Sequence, residues 1–360
     1  MNFEQLLTLS TFYTPNDERK SIQLEYLSSL TEKHEFNCVE YSKILRAFGQ
    51  KASDIRTIED IPFLPVRLFK EYDLKSIGND DIFKTMTSSG TTGQKVSKIY
   101  LDKQTASRQT KILTESVNSY IGNKRLPMLI IDSPEVLKNR HSFSARGAGI
   151  LGFSMFGRER VYALNEDMSI NVEVVSTFLE KYTDKPIFIF GFTYIIWLHF
   201  IKQLSSIQEN IDLSNGILFH GGGWKKLVDE AVSEEDFKGT LAQSLGLKHV
   251  YNYYGMVEQT GSIFVECEQG HMHASLFNDV LVRSPKDLSV LPPRQRGILQ
   301  VISLLPESYP GHSLLTEDEG EIIGLDGCSC GRPGTHFKIY GRVKNAELRG
   351  CSDTYSNNQK

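Results

Sequence analysis

The sequence predicts an α/β protein, with a doubly wound, mostly parallel sheet in a large N-terminal region and a smaller β-rich region after it. Short apolar stretches at 128–132, 187–191 and 216–220 alternate with segments of helical periodicity, the pattern of parallel strands joined by helices. After about Cys267 the pattern changes to short strands separated by proline and glycine. A chain of 360 residues that is 40% hydrophobic is long enough to bury such cores.

The individual elements follow from local patterns. Residues 3–48 carry apolar side chains at helical spacing, and prolines 62 and 65 favour an extended connector over 61–65. The other predicted elements are a strand over 96–101, a helix over 105–120, a strand over 128–132, a helix over 166–181, a strand over 187–190, a helix over 194–204, and strands over 216–220 and 250–254. We predict three parts: an α/β region over 1–265, a β-rich subdomain over 266–342 and a short C-terminal tail over 343–360.

Charge and cysteine content exclude several classes of function. The net charge is −4 and no basic block stands out, so we expect neither nucleic acid nor an anionic membrane as a partner. The N-terminal residues lack the pattern of a secretory signal, and the longest apolar run, 187–201, is too short to span a bilayer comfortably. Five cysteines are an odd count, which argues against a complete disulfide framework. We therefore predict a cytoplasmic protein without a membrane span.

A loop rich in hydroxyl groups and glycine is the most informative motif. Glycines let the backbone approach an anion, hydroxyls and backbone N–H groups donate to it, and a lysine adds charge. The Gly-Lys-Ser/Thr ending of the usual P-loop is absent, and a plain hairpin turn is the alternative. The candidate phosphate-binding residues are Thr87, Ser88, Ser89, Gly90, Thr91, Thr92, Gly93 and Lys95.

Three further motifs follow predicted strands or turns. Tyr254 and Gly255 end a strand just before Glu258, so a ring is available for a base and a carboxylate for Mg²⁺. Gly221–Gly223 end another strand, where backbone can approach a flat ligand. Asp318 lies in an acidic turn and could accept both hydroxyls of a ribose. The alternatives are core packing for the tyrosine, a helix-start carboxylate for the glutamate, a tight strand-to-helix turn for the glycines and a solvated turn for the aspartate.

Cysteines and histidines in the β-rich region predict a metal site. Two short pairs of soft ligands suit a structural, tetrahedral zinc, although the spacing is not that of a standard finger and two histidines compete for one place. Ordinary buried cysteines with surface histidines are the alternative. The candidate ligands are Cys267, His271, His273, Cys328 and Cys330.

Cys351 is a candidate nucleophile near the end of the chain. It follows Arg349 and Gly350, and a basic neighbour can lower the pKa of a thiol. An idle surface thiol is the alternative.

In order and spacing, these motifs resemble the adenylate-forming acyl- and aryl-ligase superfamily and, within it, the acyl-protein synthetases, the ATP-dependent component of the fatty-acid reductase complex of luminous bacteria. The resemblance covers nearly the whole chain. The superfamily pattern is carried by Thr87–Lys95, Tyr254–Glu258, Thr316–Asp318 and Gly341-Arg342. The narrower resemblance is carried by 61–70, Gly221–Lys225, Val257-Glu258, Ser308-Tyr309-Pro310 and Gly350-Cys351.

The resemblance implies roles. Residues 87–95 would clamp the phosphates of ATP, Gly221–Gly223 would border the adenine and acyl pocket, Tyr254 would lie on the adenine and Glu258 would meet Mg²⁺. Asp318 and Arg342 would hold the ribose. A carboxylic acid, fatty by the same resemblance, would become an acyl-adenylate, and Cys351 would take the acyl group as a thioester for a partner acyl reductase.

The chain also departs from the superfamily. Only 18 residues follow Arg342, so we expect the mobile C-terminal domain to be absent or abbreviated. The cysteine pairs look more like those of the phenylacetate-ligase branch, which leaves an aryl- or acyl-coenzyme A ligase as an alternative. A non-catalytic partner subunit with a vestigial ATP pocket is the other. The identity of the acid and the oligomeric state do not follow from the sequence.

Overall fold

The computed structural model describes residues 3–9, 11–12, 14–88, 95–137, 145–204, 206, 211–224 and 231–343. The described chain forms two compact units. The discontinuous unit combines residues up to 116 with those from 254 to 343, and the continuous unit spans 117–253. The division at residues 265 and 342 that the sequence suggests stays a prediction.

The discontinuous unit begins with helices and ends with strands. Its α-helices are α1 (Phe3–Leu6), α2 (Asn16–Asn37), α3 (Val39–Ala47), α4 (Leu68–Glu71) and α5 (Lys103–Ile121), the last of which runs into the continuous unit. Its strands are β1 (Leu64–Pro65), β2 (Lys84–Thr87), β3 (Lys98–Leu101), β9 (Phe264–Glu266), β10 (Met272–His273), β11 (Asn278–Arg283), β12 (Arg296–Ser303), β13 (Ser313–Leu325) and β14 (Thr335–Arg342).

Antiparallel pairing organises these strands. They form a sheet in the order β11-β12-β13-β14-β10-β9, onto which β1 pairs in parallel with β13. β2 and β3 form a separate two-stranded ribbon. Helix α2 lies against the sheet through buried polar side chains: Gln23 donates to three backbone carbonyls between residues 275 and 278, and Arg19 pairs with Asp279 at 3.1 Å. Because each of these groups is buried, each must be satisfied inside the fold.

The continuous unit has the parallel sheet that the sequence predicts. The strands run in the order β8-β7-β6-β4-β5, and every pairing is parallel. All six residues of β6 are buried, as expected for a strand covered on both faces. The strands are β4 (Leu126–Ile131), β5 (Gly157–Tyr162), β6 (Ile187–Phe192), β7 (Gly216–Gly221) and β8 (His249–Tyr254). The helices are α6 (Ala145–Phe153), α7 (Val172–Lys181), α8 (Thr193–Ile195), a π-helical turn (Ile196–Ile201), α9 (Lys202–Leu204) and α10 (Glu234–Leu245).

One helix starts later than the sequence suggests. The predicted helix over 166–181 begins at Val172, because the side chain of Asn171 accepts the backbone N–H of Val174 and caps it there. The residues before Asn171 form a turn instead, in which Met168 has a φ of 66°. Within that turn, the hydroxyl of Ser169 donates a hydrogen bond to the carboxylate of Asp167.

Two histidines of the discontinuous unit are stacked in its interior. The rings of His34 and His312 lie 5.0 Å apart, and both side chains are fully buried. His34 bonds to Ser76 at 2.7 Å and to the carbonyl of Pro306 at 3.0 Å, while His312 bonds to Thr31 at 3.0 Å. Burial lowers the pKa of His34 well below its ordinary value, and burial lowers that of His312 to about 3. Both rings are therefore neutral in the folded protein at neutral pH.

We predict that this pair makes the protein less stable as the pH falls. The unfolded chain protonates these histidines below an ordinary pKa of 6.5, whereas the folded chain does not. Their contribution to the free energy of unfolding is therefore complete above about pH 6.5. Below that pH it decreases by up to about 1.4 kcal/mol per pH unit for each ring. Urea titrations at pH 7 and pH 5.5 measure the free energy of unfolding. Between these two pH values, the free energy of unfolding of a His312→Phe variant is expected to fall less than that of the parent protein. An unchanged slope would contradict this assignment.

Candidate functional site

The ends of the hydroxyl-rich loop are fixed by two neighbouring strands. Ser88 follows β2 and Ser97 precedes β3. The backbone N–H of Ser88 donates to the carbonyl of Ser97 at 3.1 Å, and the N–H of Ser97 donates to the hydroxyl of Ser88 at 2.9 Å. The predicted loop is thus the connection of a β-ribbon. Residues 89–94, which include the predicted Ser89, Gly90, Thr91, Thr92 and Gly93, lie outside the described residues.

Lys95 lies at the surface beside α4. Its Nζ is 2.8 Å from Oε2 of Glu71, and both side chains are more than half exposed. The hydrogen bond and the charge of Glu71 raise the pKa of Lys95. An exposed ion pair of this kind contributes little to stability, so Lys95 can exchange Glu71 for another anion at small cost.

Three predicted residues come together where the ladder between β13 and β14 ends, at Asp318 and Arg342. Asp318 and Arg342 are opposite each other in the ladder, and Nε of Arg342 is 4.0 Å from Oδ1 of Asp318. The hydroxyl of Tyr254 donates to Oδ2 of Asp318 at 2.7 Å. Burial, together with the Asp318 charge, raises the pKa of Tyr254 well above its ordinary value, so the phenol remains a donor. Glu317 is a further partner of Arg342, at 3.4 Å.

Local turn chemistry fixes the position of Asp318. The hydroxyl of Thr316 accepts the backbone N–H of Asp318 at 3.1 Å and donates to the carbonyl of Leu299 on β12 at 2.9 Å. The ladder between β13 and β14 shifts register between Glu319 and Gly320, next to this point. Such a bulge redirects the side chains beside it. Asp318 therefore has one carboxylate oxygen on Tyr254 and the other beside Arg342.

Glu258 is buried in a short 3₁₀ turn, Val257–Gln259. Burial raises the pKa of its carboxyl group, while the Ser97 hydroxyl and the Arg342 charge act in the opposite direction. The turn is held from both sides. The buried hydroxyl of Tyr309 donates to the carbonyl of Glu258 at 2.9 Å, and the amide of Gln259 donates to the carbonyl of Gly311 at 2.8 Å. The Glu258 carboxyl group is therefore held in a fixed position by contacts to the backbone and side chain of its turn.

Gly255 connects Tyr254 to this turn. A side chain there would come within 3.0 Å of Ile263, so the small residue allows the chain to turn beneath the tyrosine ring.

The glycines at the end of β7 belong to the continuous unit. A Cβ on Gly221 would lie 2.6 Å from the ring of Tyr253, and Gly222 has a φ of 79°, which favours glycine. Among the described residues, a Cβ on Gly223 would meet nothing within 4 Å. Close packing therefore explains the glycine at 221, and the positive φ explains the glycine at 222.

Cysteines and histidines converge at the turn between β13 and β14. Ligand atoms of Cys267, His273, Cys328 and Cys330 all lie within 4.8 Å of one another. Sγ of Cys267 is 3.9 Å from Sγ of Cys328, and Sγ of Cys330 is 3.4 Å from Nε2 of His273. These separations approach the edge of a tetrahedron around zinc, about 3.7 Å for Zn–S bonds of about 2.3 Å. Burial lowers the pKa of His273 to about 3, which keeps its imidazole in the neutral form that binds metals.

The structure separates the two competing histidines. His271 belongs to a second group, with Cys328 and His336, and its Nδ1 is 3.6 Å from Sγ of Cys328. His336 on β14 stacks on His273 with ring centroids 5.6 Å apart. His336 was not among the predicted ligands, although it lies six residues after Cys330; its pairing with His273 across β10 and β14 is visible only in the fold.

The comparison with protein families identifies the chain. The family model described as "Acyl-protein synthetase, LuxE" matches residues 4–359. The chain belongs to the acyl-protein synthetase family. Cys351, which lies outside the described residues, is within the matched range. The sequence-based resemblance to this family is confirmed.

Curated relatives and solved structures agree with this assignment. The chain is 24% identical to the long-chain-fatty-acid--luciferin-component ligase of Vibrio harveyi, covering 93% of this chain and 87% of the relative. It is also 24% identical to the enzyme of that name from Aliivibrio fischeri, covering 98% of each. This acyl-protein synthetase is thus a ligase.

The solved structures concern the fold alone. An open conformation of 2-hydroxyisobutyryl-CoA ligase in complex with 2-HIB-AMP and CoA superimposes with a TM-score of 0.71 at 17% identity, covering 94% of this chain and 78% of that one. The postadenylation state of the same ligase gives a TM-score of 0.69, covering 93% and 70%. The predicted α/β fold class, that of the adenylating ligases, is confirmed.

None of the helices within the described ranges combines the length and apolar character needed to cross a bilayer.

Proposed function

We propose that this acyl-protein synthetase uses ATP to convert a carboxylic acid to an acyl-adenylate and then transfers the acyl group to Cys351. The observation that carries the proposal is the contact of Tyr254, Asp318 and Arg342 where the ladder between β13 and β14 ends, in a chain of this family. A hydrogen-bonded carboxylate beside an aromatic ring and a guanidinium group suits a nucleoside: hydroxyls for the carboxylate, and a flat base for the ring.

Each of these residues is proposed to contact a different part of the nucleotide. Asp318 has one oxygen on Tyr254 and would accept the ribose hydroxyls with the other, next to Arg342. The face of Tyr254 would take the adenine. The family resemblance supports the proposal that residues 221–223 border the adenine and acyl pocket.

The phosphates would be held by the loop and by a magnesium ion. Backbone N–H groups and hydroxyls of residues 87–93 would surround them, with Lys95 released from Glu71 to add its charge. Glu258 would bind Mg²⁺ through its carboxylate. A cation would offset the burial that raises the pKa of this group, since opposite charge favours the ionised form.

The reaction proceeds in two balanced steps. A carboxylate oxygen of the acid attacks the α-phosphorus of ATP, a new P–O bond forms, and the bond to the β-phosphate oxygen breaks as pyrophosphate leaves. The thiolate of Cys351 then attacks the acyl carbon, a C–S bond forms and AMP leaves with the electrons of the C–O bond. Adenylation is needed because a free carboxylate has no adequate leaving group.

The relatives indicate the class of acid. Both curated relatives are named as ligases of long-chain fatty acids, which supports a fatty acid as the substrate here. A thioester on Cys351 would then be delivered to an acyl reductase as partner, in a cytoplasmic setting.

We also propose a structural zinc ion bound by Cys267, His273, Cys328 and Cys330. Three thiols and one imidazole within 4.8 Å of one another support this set, which differs from the sequence-based one by leaving out His271. The metal would tie the turn between β13 and β14 to β10.

Carboxylate-dependent exchange of pyrophosphate into ATP tests the first step. We expect exchange with a fatty acid. The Asp318→Asn variant should raise the KM for ATP about 10- to 100-fold, because a charged acceptor is lost. The Glu258→Gln variant should lower the rate of exchange about 100-fold. Glu321→Gln removes a carboxylate from the same strand, where it faces Arg296 and Tyr340, and should exchange normally. The absence of exchange with acids of every chain length would refute the proposal.

Labelling with radioactive fatty acid and ATP tests the second step. The label is expected to remain on the protein through a bond that hydroxylamine cleaves, and Cys351→Ser should abolish it while exchange continues, because the thiol acts only after adenylation. Cys38→Ala, which changes a buried thiol, is the matched control. Labelling of Cys351→Ser at the parental level would remove this residue from the mechanism; transfer to coenzyme A at a Cys351-independent rate would identify a coenzyme A ligase instead.

Metal analysis of the purified protein tests the zinc ion. We expect about one zinc per chain and much less in Cys330→Ser and His273→Ala, since a tetrahedral site needs all four ligands. His271→Ala should retain the metal and is the matched control. Equal zinc in His273→Ala and the parent protein would contradict this ligand set.

A further inference from the structure

The candidate nucleotide site and the candidate metal site lie at opposite ends of one β-hairpin. Strands β13 and β14 pair from Leu325 and Thr335, next to the turn, to Asp318 and Arg342 at the open end. The turn between them carries Cys328 and Cys330. The hairpin therefore links a cysteine cluster to the residues proposed to hold ribose.

Strand β14 is supported unevenly along its length. At the turn end, Phe337 and His336 pair with Met272 and His273 of β10. Beyond Phe337, the ladder with β10 has ended, and the described pairings of β14 up to Arg342 are with β13 alone. The open end of the strand thus has backbone pairing from a single ladder, with Ile339 packed against the core, and the turn end is where β14 is hydrogen-bonded to strands on both sides.

The turn itself needs external ties. Its backbone has positive φ at Asp326, Gly327, Gly331 and Gly334, so it is not a short, self-supporting hairpin turn. Asp326 accepts the backbone N–H of Gly334 across the turn. Arg19 of α2 donates to the hydroxyl of Thr335 at 2.9 Å.

The cysteine cluster supplies a further tie, in addition to the ion pair of Arg332 with Glu268 at 2.9 Å and the hydrogen bond from the backbone N–H of Asn16 to Asp326 at 3.3 Å. Cys267 follows β9 and His273 is on β10, whereas Cys328 and Cys330 are in the turn, so one ion would join two hairpins. Without the ion, the same atoms are in contact only as weak thiol and imidazole partners. A ladder that loses its anchor can fray or slip, and a slip of one residue turns every side chain to the opposite face.

We propose that metal binding at the cysteine cluster controls the alignment of Asp318 with Arg342 and thereby the affinity for ATP. This inference rests on the proposed function for its nucleotide, but its structural half concerns the hairpin alone. Linkage requires the effect to be reciprocal: ATP must tighten metal binding by the same factor.

Hydrogen exchange on the full-length protein tests the structural half. The protein is compared as zinc-loaded, chelator-stripped and zinc-restored samples. Backbone amides over 317–322 and 337–342 are expected to exchange about tenfold faster in the stripped sample and to recover with zinc. Strand β6, in the continuous unit, is the internal reference and should not change. Equal exchange in loaded and stripped protein overturns the inference, as does a purified protein that binds no metal.

Equilibrium binding of Mg-ATP to the same samples tests the functional half. Stripping is expected to weaken binding at least about fivefold, and zinc should restore it. The Cys330→Ser variant should bind Mg-ATP as weakly as the stripped protein. The Cys38→Ser variant is the control and should bind it as tightly as the parent protein. If the stripped protein exchanges its amides faster but binds Mg-ATP as tightly as the loaded protein, the metal does not control ATP affinity and that part of the inference is overturned. Absence of ATP binding to zinc-loaded protein refutes the proposed function instead, and the exchange result then decides the structural half by itself.

Discussion

The ladder between β13 and β14 is the constraint on which the candidate site depends. It sets Asp318 opposite Arg342, and the hydroxyl of Thr316 and the neighbouring bulge direct the carboxylate toward Tyr254. Each of these contacts is modest by itself, on the order of 1 kcal/mol for a hydrogen bond. Together they hold the carboxylate in place, which suits the proposed recognition of a ribose.

Burial gives the neighbouring groups their chemical character. Tyr254 stays a neutral donor because burial opposes its ionisation, and burial also raises the pKa of the Glu258 carboxyl group. The bond from Tyr309 to the backbone of Glu258 keeps that carboxyl in place. A site organised in this way is fixed before any ligand binds, so little reorganisation is required of it in the proposed adenylation.

Much of the parallel sheet could be predicted from the sequence, because runs such as Ile187–Phe192 are apolar throughout. Helix α6 was missed since glycines at 147, 149 and 152 lower its helical propensity; Gly149 is required there because a Cβ would lie 2.8 Å from Phe192. Strand β5 was missed because its charged residues match no apolar pattern.

The individual site residues could be proposed from their motifs, but their contacts could not. Tyr254 and Asp318 are 64 residues apart, and no local pattern predicts that they share a hydrogen bond. The choice between His271 and His273 also needed the register of β10 against β14. Sequence reasoning identifies chemical groups, whereas long-range pairing determines which of them meet.

The chain enters the discontinuous unit, leaves it after residue 116 and returns at residue 254. Arg19, near the N terminus, is buried against Asp279 and Thr335, which are 260 and 316 residues further along. During synthesis this arginine meets Asp279 and Thr335 only after residues 117–253 of the continuous unit have been made. We therefore expect the parallel sheet to fold before the antiparallel sheet that carries the candidate site residues.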